Sequence, residues 1–176
     1  MPSIVTVHQE TALPCRGAAK TIFMVSPTIY ERAAWEDRFN RPTIEALRAA
    51  LPTDATKLFN QLRRHLLAVD GVTEGFNWQG VCWRWTIEYY TEHSEEPLAL
   101  LVPSPTDLQL AVPLDREFVR SLSMRRMKRS VREGIGLAQD PFDTRWGVWS
   151  IQTEGLIEDL VDLIERKLRD QARRAG

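Results

Sequence analysis

The stretch VCWRWTIEYY, residues 81–90, constrains the fold more than any other part of the chain. Val81, Trp83, Trp85, Ile87 and Tyr89 alternate with Cys82, Arg84, Thr86, Glu88 and Tyr90. Side chains that alternate in this way belong to a strand with one face buried, because successive residues of a strand point to opposite sides. The large aromatic and β-branched members, Trp83, Trp85, Ile87 and Tyr89, are expected on the core face. GVTEGFNW precedes the run across a Gln79-Gly80 turn. PLALLVP (97–103) and LQLAVPL (108–114) follow as further strands, the latter with Leu108, Leu110, Val112 and Leu114 on one side. Pro113 suggests that this strand lies at an edge or ends there, since proline donates no ladder hydrogen bond. DTRWGVWSIQ (143–152) returns to period two.

Helical periodicity surrounds the strands. TIYERAAWEDRF (28–39) and RPTIEALRAAL (41–51) read as helices, with Pro42 at an early helical position. PTDATKLFNQLRRHLLAVDG carries Leu58, Leu62, Leu66 and Val69 on one stripe, and Gly71 is a natural stop. Asp115 is placed to cap REFVRSL, and SMRRMKRSVREGIGLAQ continues as a second helical segment. The chain closes on TEGLIEDLVDLIERKLRDQARRAG, capped by Thr153, with acids early and bases late as the helix dipole favours. Strands joined by short connections, with helices before and after, define an α+β fold. An antiparallel sheet of about five strands has helices packed on one face and an N-terminal helical extension. Residues 28–172 form this single domain; residues 1–27, with two short β-like runs, read as an N-terminal arm.

The run from GVTEGFNWQGVCWRWTIEYY through PLALLVP, LQLAVPL and RWGVWSIQ to LIEDLVDLIERKL resembles small bacterial families related to the YdhG-like domains. The resemblance spans roughly residues 55–170 and rests on element order, on the W-x-W strand and on the Leu-rich strand ending at Pro103. It implies a leading helix, an antiparallel sheet and a closing helix. It implies no activity and carries over no catalytic residue.

Composition narrows the function classes. A formal net charge of -1 argues against a general polyanion binder, whose affinity comes from excess Lys and Arg, and so disfavours nucleic acid as a partner. Cys15 and Cys82 are far apart and read as free thiols of a reducing compartment. With neither a signal-peptide pattern nor a membrane-spanning run, a cytoplasmic protein is expected. His8, His65 and His93 fall in separate segments without ligand spacing, so no metal site is expected. GIGLAQD lacks the third glycine and the preceding strand of a dinucleotide fingerprint, and no cofactor motif is present.

The opposite face of the aromatic strand is the candidate site. Arg84, Glu88 and Tyr90 line it, and one of Trp146 and Trp149 joins them, because their odd spacing puts the two on different faces unless a bulge at Gly147 resets the register. Arginine beside aromatic rings suits an anionic or planar ligand. The expected function is a non-enzymatic domain that holds a small organic or anionic ligand, or a peptide, there. One alternative is a protein-interaction module or homodimer using the sheet edge or the basic segment around Arg125 and Arg129. Another is an enzyme whose site the sequence does not display.

Overall fold

The computed structural model describes residues 33–92, 94–138 and 145–175. The expected arm at 1–27, with Cys15 and His8, lies outside the described residues, as does His93. Two helices lead into the sheet. Thr43 Oγ1 accepts from the Ala46 N–H at 3.1 Å and starts α1 (Ile44–Ala49). The longer α2 (Thr53–Leu67) buries Phe59, Leu62 and Leu66; Leu58 is only partly covered, and Val69 lies past the helix end.

The helix expected over 28–39 is not found in its described part, since residues 33–40 form turns and bends. Asp37 supplies a reason. Its carboxylate accepts from the Phe39 N–H at 3.0 Å and from the Asn40 side chain at 2.6 Å. Short polar side chains that bond to nearby groups offer the backbone an alternative to the helix.

Five strands follow in an antiparallel sheet of order β1-β2-β3-β4-β5, so chain neighbours are also sheet neighbours. They are β1 (Val72–Trp78), β2 (Trp85–Thr91), β3 (Ala99–Pro103), β4 (Leu108–Leu114) and β5 (Arg145–Ser150). A short turn of helix, α3 (Gly80–Trp83), separates β1 from β2. Beyond β4 come α4 (Arg116–Ser121), a 3₁₀ turn at Met124–Arg126 and α5 (Arg129–Gly136). After β5, α6 (Glu154–Ala175) closes the fold.

The register fixes which residues share a face. Ile87 pairs with Leu101, Leu101 with Leu110, and Leu110 with Trp149. This row joins Phe59, Leu62 and Leu66 of α2, Val131 and Ile135 of α5, and Ile157, Leu160, Leu163 and Ile164 of α6 in one core. Pro113 does not mark an edge, because β4 lies between β3 and β5. The Ile151 N–H donates to the Leu108 carbonyl at 2.7 Å, so even-numbered residues of β4 turn their polar backbone to β5 and odd ones to β3. The missing N–H of Pro113 thus faces β3 beyond Ala111, the last β4 residue that β3 pairs.

The strand expected from residue 81 begins at Trp85. Val81 is 82% exposed and Cys82 is exposed, and Trp83 is half-buried and stands outside the core. The break is Arg84, whose φ of 53° interrupts extended backbone. The core face of β2 is therefore Trp85, Ile87 and Tyr89, and the placement of Trp83 there is corrected.

No bulge resets β5, which pairs one-to-one with β4 from Gln109↔Ser150 to Leu114↔Arg145. Trp149 consequently faces the helices, 5% exposed, and its indole N–H donates to the Ser130 carbonyl at 3.3 Å. A Cβ on Gly134 of α5 or on Gly147 of β5 would overlap the indole, so two glycines make the slot that holds it. Gly134→Ala is expected to cost about 1–3 kcal/mol through overpacking. Gly136→Ala, whose new methyl would meet open space, should be neutral or stabilising by up to about 1 kcal/mol. Urea unfolding of both variants checks the contrast.

Candidate functional site

The β1–β2 loop builds the site. Arg84 donates its backbone N–H to the Gly80 carbonyl at 2.8 Å, and its own carbonyl accepts from Gln79 N–H at 2.7 Å. Closed this tightly, the loop forces Arg84 to positive φ, the only non-glycine residue in that state among those described. For a bulky side chain this region costs on the order of 1–3 kcal/mol and persists only where surrounding contacts hold it.

Those contacts come from the segment before α1. The Arg84 guanidinium lies 4.5 Å from the Trp35 ring centroid and forms an ion pair with Glu36. The neighbouring Trp85 is anchored there too, its indole N–H donating to the Asp37 carbonyl at 2.6 Å. Trp85 also stacks on Phe76 at 5.0 Å and meets Trp78 edge-on at 5.8 Å. Arg41 stands over the other part of this cluster, 5.5 Å from the Phe76 centroid, and donates to the Phe76 carbonyl at 3.2 Å.

One polar atom in this cluster is left over. The Trp35 indole Nε1 is buried and has no hydrogen-bond partner among the described residues. A buried donor without an acceptor costs roughly 1–3 kcal/mol, so such atoms are few in native proteins. Here the orphan belongs to the ring on which Arg84 lies.

On the sheet face opposite the helices, Glu88 is 4% exposed. Gln79 donates to its Oε1, and the Tyr90 hydroxyl donates to its Oε2 at 2.7 Å. Both carboxylate oxygens are therefore satisfied within the fold. Gly75, directly across from Glu88, leaves room for the Tyr90 ring. Burial, and then the bond to Glu88, push the Tyr90 hydroxyl up to about 12. Trp146 projects on this same face and meets Trp83 edge-on at 5.2 Å. β2 and β5 are three strands apart, about 14 Å in a flat sheet. The contact therefore requires the loop to lean across the face and the sheet to coil toward it.

The structure thus sorts the expected site residues into separate groups. Glu88 and Tyr90 are bonded to each other; Arg84 is held at the loop by Glu36 and Trp35; Trp146 closes on Trp83; Trp149 is in the core. Trp35 and Glu36 were not among the residues the sequence singled out. The period-3.6 reading of 28–39 concealed them, and no local pattern pairs residue 36 with residue 84.

Titratable groups are also covered on the helix side. Arg63 of α2 binds Glu74 of β1 through Nε at 2.6 Å and Nη2 at 2.9 Å, and the Tyr89 hydroxyl approaches Glu74 at 3.4 Å. Burial, with Glu74 adding to it, pushes the Tyr89 hydroxyl well above its usual range, so it remains a neutral donor. Lys167 of α6 is 4% exposed, and burial pulls its amine down to about 8 against the fields of Glu96 and Asp115.

Among the described residues no three His, Cys, Asp or Glu side chains converge as a metal site, and no helix is long and apolar enough to cross a membrane. The fold and the loop define an α+β domain with an antiparallel meander and one orphaned donor beside a strained arginine. Comparison with protein-family models, with curated proteins and with solved structures finds no match for this chain.

Lys167 gives a test of these electrostatics. Its amine binds protons less readily in the folded chain, so between pH 8 and 10.5 the unfolded chain holds more protons and stability rises with pH. Below pH 8 the burial cost is constant, on the order of 3 kcal/mol before the neighbouring carboxylates and helix packing are perturbed. Lys167→Met is expected to be more stable than the parent at pH 7, with the difference shrinking toward pH 10.5. Denaturation at several pH values reads both.

Proposed function

We propose that the chain is a non-enzymatic binding domain for a small organic anion, held at the Trp35–Arg84 pair beside the sheet face. The unpaired Trp35 Nε1 carries the reading. A carboxylate placed against it would supply the missing acceptor. The same carboxylate would take N–H donors of Arg84 that Glu36 leaves free, since a guanidinium has five and the ion pair engages Nη1. The half-buried aromatic side chains nearby suit a ligand with a planar or apolar body. The backbone strain at Arg84 fits a residue retained for its side chain, because glycine would occupy that conformation without strain. The satisfied Glu88–Tyr90 pair then serves to hold the loop through Gln79.

The test is a thermal-shift and NMR titration with a panel of aromatic and aliphatic monocarboxylates. A carboxylate that binds the native state raises Tm. Trp35→Phe keeps a ring under Arg84 and removes only the N–H. It is expected to weaken binding by roughly tenfold or more, the worth of one hydrogen bond to a charged group. Arg84→Gly should relieve the backbone and abolish binding, giving a protein no less stable than the parent. A carboxylate whose affinity is the same in Trp35→Phe and in the parent, or a panel without a binder, would refute the assignment.

A further inference from the structure

A cavity of about 540 Å³ lies between α4 and α6, on the helix side of the sheet. Leu122 and Ala172 line it with apolar surface, and Phe118, buried in the core, lies at its base. Arg166, Arg169 and Arg173 also line it, and Ser121 and Ser123 face them from the α4 side. The arginines stand at i, i+3 and i+7 of one helix and so share a side of it.

Each arginine is oriented by a carboxylate or carbonyl of its own helix. Arg166 Nε bonds to Asp162 at 2.8 Å, Arg169 Nε to the Glu165 carbonyl at 3.2 Å, and Arg173 Nη2 to Asp170 at 2.9 Å. These bonds engage only some of the five donors that each guanidinium carries. The side chains of Arg169 and Arg173 are 67% and 73% exposed, which leaves them open to a ligand from solvent.

The surroundings reinforce the charge. Residues 115–126 and 162–174 hold nine of the chain's 23 Lys and Arg residues and five of its 24 acids, each of the five paired with an arginine of α6. Cations thus outnumber acids in the two segments that form this groove, which favours an anion on approach. A carboxylate would engage one guanidinium in two parallel bonds. Three guanidiniums and the Ser123 hydroxyl around one groove match better a dianion with three acceptor oxygens.

We infer that the groove between α4 and α6 is a binding site for a phosphomonoester, its phosphate held by Arg166, Arg169 and Arg173 and its organic body against Leu122 and Ala172. The site is independent of the Trp35–Arg84 pair, which lies at the β1–β2 loop. Ser123 donates its hydroxyl to the phosphate from the opposite wall, while the Ser121 hydroxyl donates to the Phe118 carbonyl at 2.7 Å and is engaged within α4. Because the arginines are largely exposed, binding weakens as salt rises.

Calorimetric titration of the full chain with phenyl phosphate, inorganic phosphate and phenol tests the site. Phenyl phosphate is expected to bind roughly tenfold tighter than inorganic phosphate, through the apolar wall it can cover, and phenol is expected not to bind. Arg169→Gln and Arg173→Gln should each weaken phenyl phosphate about five- to tenfold, the effect of one charge-assisted bond. Arg132→Gln, exposed on α5 and outside the lining, should leave it unchanged. Trp35→Phe should also leave it unchanged, which separates this site from the carboxylate site. Absence of binding, equal affinity for the ester and the free ion, or an equal loss in Arg132→Gln would each overturn the inference.

Discussion

Ile87, Leu101, Leu110 and Trp149 lie side by side across four strands, and the faces of the whole sheet follow from that row. A strand side chain has period two, so a slip of one residue in any ladder would carry that strand's large apolar residues away from α2, α5 and α6. With the row in place, the adjacent one is also fixed: Gly75, Glu88, Leu100, Ala111 and Val148. That second row contains a buried carboxylate between a glycine and a leucine. Burying a carboxylate is costly unless its oxygens are bonded, and Gln79 and Tyr90 provide one donor to each oxygen of Glu88. Gln79 belongs to the β1–β2 loop, so satisfying Glu88 also draws the loop over the second face.

The loop pays for its closure at one residue. Gly71 and Gly80 occupy the other two positive-φ positions, where glycine is unstrained. Arg84 occupies the third. Its two backbone bonds close the loop, and its guanidinium spans Trp35 and Glu36, the latter 48 residues earlier in the chain. A strained arginine over an indole whose N–H has no acceptor is a local conflict in a fold otherwise consistent from propensity to packing. Such conflicts are where binding sites are found more often than in regular structure.

Period-two and period-3.6 patterns made most of the fold legible. LQLAVPL and RWGVWSIQ alternate as the structure places them, Thr153 Oγ1 accepts from Leu156 N–H at 3.3 Å to cap α6, and Asp115 accepts from Phe118 N–H at 2.7 Å to cap α4. These features are local. Two misreadings have one cause. Residues 81–84 continue the strand's alternation by chance of composition, and residues 28–39 carry helical spacing. In both segments tertiary contacts of Arg84, Trp35 and Asp37 decide the described backbone. Composition also showed the basic residues of α6 only as a favourable helix end. That Arg166, Arg169 and Arg173 line a groove depends on α4 lying opposite them, and no periodicity states which helices face each other.

Asp115 links that groove to the core. Its carboxylate accepts from the Phe118 N–H, which fixes the first turn of α4, and it also pairs with Arg174 of α6 at 3.2 Å. One side chain thereby ties the wall that carries Phe118 and Ser121 to the helix that carries the three arginines. The same carboxylate is among the groups that hold up the proton affinity of buried Lys167. Lys167 lies between Arg166 and Arg169 in sequence but turns to the interior, where it is 4% exposed. At neutral pH it remains mostly protonated, since burial lowers it only to about 8. Because it is buried, salt screens its charge less than those of the exposed arginines. The last turns of α6 thus carry cations on both their inner and outer faces. The constraint that joins them is the Asp115 carboxylate, whose position is set by the end of β4 and so by the register of the sheet.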